Sequence, residues 1–303
     1  MILSKKKEII SKKTIVCNGQ IFQLWHPKFL FRGITETNHT SIFKRIKKFK
    51  PIFKFRPKKI KKGIWITHDW TDAYYHWFAD ALPRLMLAED SINVHQLPVL
   101  LPDYYQQHSF ITDSLTMLGY QPYFLESGIP YIVDKLYITS MTAVTGQFNS
   151  IYIGKVRSSL TEGKNQNTDI CKKIYISRSK AKKRFVANEK ELSAFLSSLG
   201  FQIVHFENYS LEQQIKIVSE SKVIIGLHGA GLTNMLFLPK QSTVFELISK
   251  EKNWYNWCYQ NMANALNLKY YQIECETSKA IEDYNVYVDL KQLHAVLTSN
   301  NIK

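Results

Sequence analysis

Lys222–Leu247 reads K-V-I-I-G-L-H-G-A-G-L-T-N-M-L-F-L-P-K-Q-S-T-V-F-E-L. Val223, Ile224 and Ile225 form a short apolar, β-branched run, the mark of a buried strand. Gly226, Gly229 and Gly231 then punctuate a turn, where glycine allows a tight backbone or close approach of a ligand. A short apolar segment, Ala230–Leu238, stops at Pro239. A second strand, Thr243–Ile248, carries one carboxylate, Glu246. A strand, a glycine turn and a helix start present unpaired backbone N–H groups and a positive helix end to a phosphate. The glycines alone leave a plain tight turn equally open.

Working outward, the flanks repeat the same alternation. Strands are expected over Lys173–Ser177, Phe201–Phe206 and Tyr270–Glu274. Helices are expected over Asn188–Leu199, Ser210–Ser221, Trp254–Leu266 and Leu290–Leu297. Asn188 stands at an N-cap position, and Ser210 with Gln213 forms a capping-box pattern. Such β-α-β-α order predicts a parallel sheet with helices on both faces. Its ligands sit beyond the carboxyl ends of the strands, where the glycine turn lies. The first half shows a looser alternation: strands at Thr14–Val16, Ile21–Trp25, Gly63–Thr67, Pro98–Leu101 and Tyr131–Thr139, with helices over Ala73–Ala88 and His108–Leu118. Part of the polar stretch 154–171 reads as a linker. The domains expected are 1–160 and 161–303, the last helix being free to pack back onto the first domain.

The chain has 303 residues and a formal net charge of +15. Eleven Lys or Arg and no acid lie between Phe43 and Lys62, so the remainder carries only about +4 (15 − 11). Phe43, Ile46, Phe49, Ile52, Phe53 and Phe55 interleave with these cations, and Pro51 and Pro57 exclude one continuous helix. The run fits a solvated loop, an anionic membrane surface or a nucleic acid. No RNP, zinc-finger or helix-turn-helix pattern accompanies it, so no nucleic-acid partner is expected. Cys17, Cys171, Cys258 and Cys275 have neither C-x-x-C nor zinc spacing, and read as reduced thiols. The opening M-I-L-S-K-K-K has no apolar core of signal-peptide length, and no stretch approaches 18 apolar residues. The expectation is a cytoplasmic protein.

Two further stretches hold groups suited to chemistry. On the helix after Gly63, His76 and Asp80 share a face, with Arg84 four residues on. Pro83 should kink that helix. The alternative to a site is an ion-pair network that fixes packing. After the strand at Lys173–Ser177 comes S-R-S-K-A-K-K-R-F. Arg178 and Arg184 bracket three lysines there, and arginine's planar fork suits phosphate oxygens.

Y-H-W-F-A-D-A-L-P-R-L (Tyr75–Leu85), Y-I-S-R-S-K-A-K-K-R-F-V-A-N-E (Tyr175–Glu189) and G-L-H-G-A-G-L-T-N-M-L-F-L-P (Gly226–Pro239) followed by V-F-E-L together resemble glycosyltransferase family 61. The likeness spans roughly residues 63–275. It implies an α/β protein of GT-B type, with two Rossmann-like domains facing across a cleft. It also implies an inverting transferase that moves a sugar from a nucleotide-diphosphate sugar to a saccharide acceptor. The family's bacterial members point to capsular or other surface-polysaccharide biosynthesis, with an acceptor that is lipid-linked and the basic segment 43–62 resting on the inner face of the membrane. Carried over, Arg178 and Arg184 neutralise the diphosphate. His228, Gly229, Ala230 and Gly231 contact it, and Glu246 accepts from ribose hydroxyls. Arg84, Asn188 and Asn234 complete the expected substrate-binding set. No D-x-D motif follows a strand, so metal independence and no cofactor are expected. The base is sought in Asp80 first, His76 second and Asp72 third. The alternatives are a nucleotide-sugar-binding protein or epimerase on the same fold, or a basic nucleic-acid-binding protein that acts through Phe43–Lys62. A hydrolase is disfavoured because the chain has no G-x-S-x-G elbow.

Overall fold

The computed structural model describes residues 6–9, 14–23, 58–68, 70–127, 129–162, 171–180, 184–251, 257–277 and 285–302, with backbone pairing alone for 6–9 and 14–23. The chain divides into two compact units, Met1–Ala143 and Val144–Lys303. Each is a mixed α/β layer structure with its own six-stranded sheet.

The division falls before the expected boundary at 160/161, and the reason is a helix. Ser150–Thr161 buries Tyr152, Ile153, Val156 and Leu160 at helical spacing, and the Asn149 side chain accepts from the Ile151 N–H at 3.0 Å to cap it. Gly154, Lys155 and Ser158, whose polarity suggested a linker, lie outside that buried stripe. The other part of the expected linker, 163–170, lies outside the described residues.

The first unit contains β1 (Lys6–Ile9), β2 (Thr14–Gln23), β3 (Lys58–Trp65), β4 (Pro98–Pro102), β5 (Gln121–Leu125) and β6 (Pro130–Thr139) in the order β1-β2-β6-β3-β4-β5. β6, β3, β4 and β5 run parallel, while β1 and β2 are added antiparallel. The end of the basic run forms the start of β3, with Lys58, Lys59, Lys61 and Lys62 exposed and Ile60 buried. The rest of that run, 43–57, and the membrane contact expected of it lie outside the described residues. Gly63 is needed for packing. A Cβ there would sit 2.7–2.9 Å from the Leu100 side chain.

The second unit contains β7 (Lys172–Ile176), β8 (Phe201–Val204), β9 (Ser221–Leu227), β10 (Thr243–Ser249), β11 (Lys269–Thr277) and β12 (Val286–Tyr287) in the order β12-β11-β10-β9-β7-β8. All pairs are parallel except β11 with β12. Counted from β7, the parallel strands run 2-1-3-4-5, a doubly wound order whose direction of winding reverses between β7 and β9. Ile225, Leu227, Phe245, Leu247 and Ile273 fill one core. Each such side chain contributes roughly 1.5–3 kcal/mol on burial. The final helix, Leu290–Ser299, places Leu293 and Leu297 in this same core beside Leu192 and Leu196. It packs within its own unit. The expected capping box at Ser210 and Gln213 is present on both sides.

Candidate functional site

The reversal between β7 and β9 is where a doubly wound sheet leaves a crevice beyond its strand ends. β7 leads into Ser177 and Arg178, and β9 leads into His228 and Gly229. Gly229 has φ +157° and ψ 176°, a region that only glycine occupies readily. A Cβ there would lie 3.3 Å from Arg178 Nη1 and 3.8 Å from Arg184 Cζ. The two arginines expected near the glycine turn therefore converge on it. Burial lowers the pKa of Arg178, and the neighbouring Arg184 charge lowers it further. Two cations held together at a strand-end crevice are suited to an anion that neutralises both.

The segment beyond Gly229 differs from the expected helix. Ala230–Phe237 is 3-10 throughout. Its first N–H groups still lack partners inside the helix and stay at the turn. The side-chain amide of Asn234 donates to the Gly231 carbonyl at 3.0 Å and braces the turn. Tyr259 O–H donates to the Gly229 carbonyl at 2.6 Å.

The arginine loop is anchored at both ends. Glu189 Oε1 accepts from Ser177 Oγ at 2.5 Å and from the Arg178 N–H at 3.1 Å, while Oε2 accepts from Tyr175 O–H at 2.9 Å. Arg178 Nε donates to the Arg184 carbonyl at 2.6 Å. Arg184 has φ +55°, a left-handed conformation uncommon for a bulky residue. It is held there because Asn285 Oδ1 accepts from the Phe185 N–H at 3.0 Å. Asn188, 7 % exposed, spends its amide on the backbone of Val288, donating at 2.9 Å and accepting at 3.0 Å. It stands at the N-cap position of Glu189–Ser198 without capping it. Its place is behind the loop, as a clasp. Lys182 and Lys183 lie outside the described residues.

Glu246 is neither at a strand end nor at the surface. It sits mid-strand in β10, paired in register with Gly226 and Gln272, and is 2 % exposed. Oε1 is hydrogen-bonded to His228 Nδ1, and Oε2 accepts from Tyr270 O–H. A carboxylate so enclosed reaches a ligand only through a partner, so the ribose contact expected of it has no opening. Tyr259 packs edge-on to the His228 ring at 5.3 Å.

In the first unit, the helix after β3 is continuous but not uniform. Tyr74–His76 is α-helical, Trp77–Ala81 is π-helical and Leu82–Glu89 is α-helical again. The wide turn accommodates Pro83, which has no N–H and would otherwise press on the carbonyl four residues back. His76 Nδ1 lies 2.7 Å from Asp80 Oδ2. His68, from the turn after β3, brings Nε2 to 3.4 Å from the same oxygen, an ion-pair distance without hydrogen-bond alignment. Burial pushes the Asp80 carboxyl up, but the two histidines outweigh it and the net shift is downward. Asp72 lies in the same turn as His68 and is half-buried.

Arg84 feels the charge of Asp80, but among the described residues its hydrogen bonds go elsewhere. It is 3 % exposed and donates to the Ile66 carbonyl at 2.6 Å, to Thr139 Oγ1 at 3.2 Å and to the Thr139 carbonyl. It ties the carboxyl ends of β3 and β6 together, and burial lowers its pKa to about 10. Its donors serve backbone and hydroxyl acceptors of its own unit.

Sequence reasoning missed His68, Glu189, Tyr259, Tyr270 and Asn285. His68 and Glu189 lie inside or beside quoted motifs and were legible as polar groups. The others come from a distant helix (Tyr259), strand (Tyr270) and loop (Asn285) with no local signal. Among the described residues no three His, Cys, Asp or Glu side chains are grouped to hold a metal ion.

A family model described as Glycosyltransferase 61 matches residues 74–245, which include His76, Asp80, Arg178, Arg184 and the glycine turn at His228–Gly231. An EGF domain-specific O-linked N-acetylglucosamine transferase of Drosophila melanogaster is 37% identical over 99 residues, 32% of this chain and 18% of that protein. The protein of the same name from Gallus gallus is 37% identical over 92 residues, 29% of this chain and 17% of that protein. A beta-1,2-xylosyltransferase of Oryza sativa subsp. japonica is 32% identical over 130 residues, 39% and 22% of the two chains. The matched part is thus about a fifth of the length of these relatives.

Proposed function

Because the chain belongs to glycosyltransferase family 61, we propose that it transfers a sugar from a nucleotide-diphosphate donor to a saccharide acceptor, with inversion at the anomeric carbon. The convergence of Arg178 and Arg184 on Gly229, at the reversal point of the second sheet, carries this reading. The guanidinium groups and the N–H groups of Gly229, Ala230 and Gly231 hold the diphosphate. As the bond from the anomeric carbon to the diphosphate oxygen breaks, these fixed donors meet the charge that develops there. That supply of positive charge is the basis for proposing a metal-independent reaction.

The acceptor hydroxyl attacks the anomeric carbon from the opposite side and gives its proton to a base. Asp80 is the proposed base, oriented by His76 and His68, with His76 and Asp72 as the next choices. Asp80 suits the role because its two histidines keep it ionised. The arrangement proposed for the two units is the GT-B one, in which the first binds the acceptor and the second the donor. The setting proposed is cytoplasmic surface-polysaccharide assembly, with the basic segment 43–62 on an anionic membrane face. The eleven cations of that segment support it.

The test is product formation. The protein is incubated with UDP- and GDP-sugars, with and without saccharide acceptors, and nucleoside diphosphate release is followed. Acceptor-dependent release that is lost in Arg178→Ala, Arg184→Ala and Asp80→Asn is expected. Sugar isomerisation without release indicates an epimerase, and tight donor binding without turnover a binding protein. Full turnover in a folded Asp80→Asn removes Asp80 from the role.

A further inference from the structure

The buried row behind the glycine turn runs from Tyr270 on β11 through Glu246 on β10 to His228 after β9. β9, β10 and β11 are adjacent parallel strands, and the row crosses them diagonally: Tyr270 is level with Val244, and His228 lies two residues beyond Gly226, the partner of Glu246. Burial, and then the charge of Glu246, hold the Tyr270 phenol protonated. Its oxygen is therefore the donor, and Glu246 the acceptor. Glu246 has one oxygen left, and a carboxylate only accepts. His228 Nδ1 must then carry the hydrogen in that bond. Nε2 is the remaining ring nitrogen. Among the described residues no hydrogen bond is made to it. The residue after His228 is Gly229, against which both arginines lie.

We propose that Tyr270 and Glu246 are positioning residues that lock the His228 ring with Nδ1–H inward, so that Nε2 is the atom turned to the diphosphate of the donor. This rests on the donor reading above. With Nδ1–H spent on the carboxylate, the ring can donate to a phosphate oxygen only through a second proton, taken from solvent, on Nε2. The bond strengthens as the leaving charge develops, so the row acts on turnover more than on donor binding. No bond of the protein is made or broken. Glu246 thereby has a role that its burial permits, in place of ribose recognition.

Glu246→Gln is the informative change. The amide keeps the shape and can still accept from Nδ1–H, but it removes the negative charge that offsets a second proton on the ring. Turnover should fall about 100-fold while donor KM stays within about threefold, the size of effect expected when one preorganised donor to a developing charge is lost. Tyr270→Phe removes one oxygen only and should cost about tenfold in kcat. It carries the test if Glu246→Gln melts early. The ring is read directly by nitrogen-15 NMR of His228, assigned by its loss in His228→Asn, with UDP or GDP added. Protons on both ring nitrogens in the nucleotide-bound parent protein, and loss of one of them in Glu246→Gln at the same pH, are expected. An unchanged ring signal with unchanged kcat in both variants overturns the proposal, and so does a loss confined to KM and thermal stability. The NMR arm needs no sugar transfer. If no sugar donor is turned over, the transferase reading fails while the positioning is still judged.

Discussion

Replacing Gly229 by alanine perturbs the turn without touching a charge. The dihedrals φ +157° and ψ 176° belong to a region that costs an L-residue about 1–3 kcal/mol. The new methyl would also stand 3.3 Å from Arg178 Nη1, closer than most Cβ contacts allow. Arg178 cannot swing away cheaply, because its Nε is bound to the Arg184 carbonyl at 2.6 Å. Stability should therefore drop by about 2 kcal/mol, read as a lower urea midpoint at constant slope. If the guanidinium moves instead, a charge-assisted hydrogen bond to the diphosphate weakens. Such bonds are worth about 1.5–3 kcal/mol. At about 1.4 kcal/mol per decade, kcat/KM should fall about ten- to a hundredfold. Gly231→Ala is the matched control, since its Cβ would meet only Ile176 Cγ2, at 3.3 Å. A smaller loss is expected there. Turnover and urea midpoint within error of the parent in Gly229→Ala would refute the claim that both arginines bear on this backbone.

Two further predictions concern the first unit. Arg84→Met should lower stability by about 2–4 kcal/mol, because the carbonyls of Ile66 and Thr139 lose a buried donor. Chemical denaturation reads this, and Arg84→Lys should recover only part of it, since an ammonium cannot span both strand ends. The second prediction is a pH effect. Asp80 titrates below its ordinary value of 3.8 in the folded protein. The unfolded chain therefore binds its proton first as pH falls. The stabilisation is complete above about pH 4 and is lost as pH drops through the folded value. Asp80→Asn should flatten the fall of thermal midpoint with acid in that range, and an acid limb unchanged by the substitution would count against the histidine pairing.

How much was legible in the sequence depended on how far apart the partners lie. The β-α alternation of the second unit came through because Val223–Ile225, Ser210 with Gln213 and Gly200 each carry a local signal of period, cap or stop. The helix at Ser150–Thr161 was lost to its polar face, which outnumbered the four buried positions. β5 went unread: it is short, holds Pro122 and pairs on one side only, so it carries little local signal. For the site, the strand-end placement of Arg178 and Gly229 was readable from topology. The part played by Arg84 was not, since the carbonyls it binds, at Ile66 and Thr139, lie 18 and 55 residues away in sequence.

Glu246 shows why the remainder was hidden. Alone in an apolar strand, a carboxylate reads as a ligand for something outside, because burial without a partner is costly. Its partners were already in the fold. His228 is 18 residues away in sequence and Tyr270 is 24. The parallel register sets Glu246 level with Gly226 and Gln272 and so brings both side chains within reach. The energetic premise was sound, and it was the location of the partners that periodicity could not supply. The same logic separates Arg84 and Asn188 from Arg178 and Arg184. The first two bind backbone acceptors that exist only after the sheets form. The second two approach one another despite like charge, which the fold alone does not reward. Arg178 already donates to the Arg184 carbonyl and feels the charges of Glu207 and Glu189, so what points outward is the place of the two guanidinium groups, side by side at a strand-end turn that suits an anion.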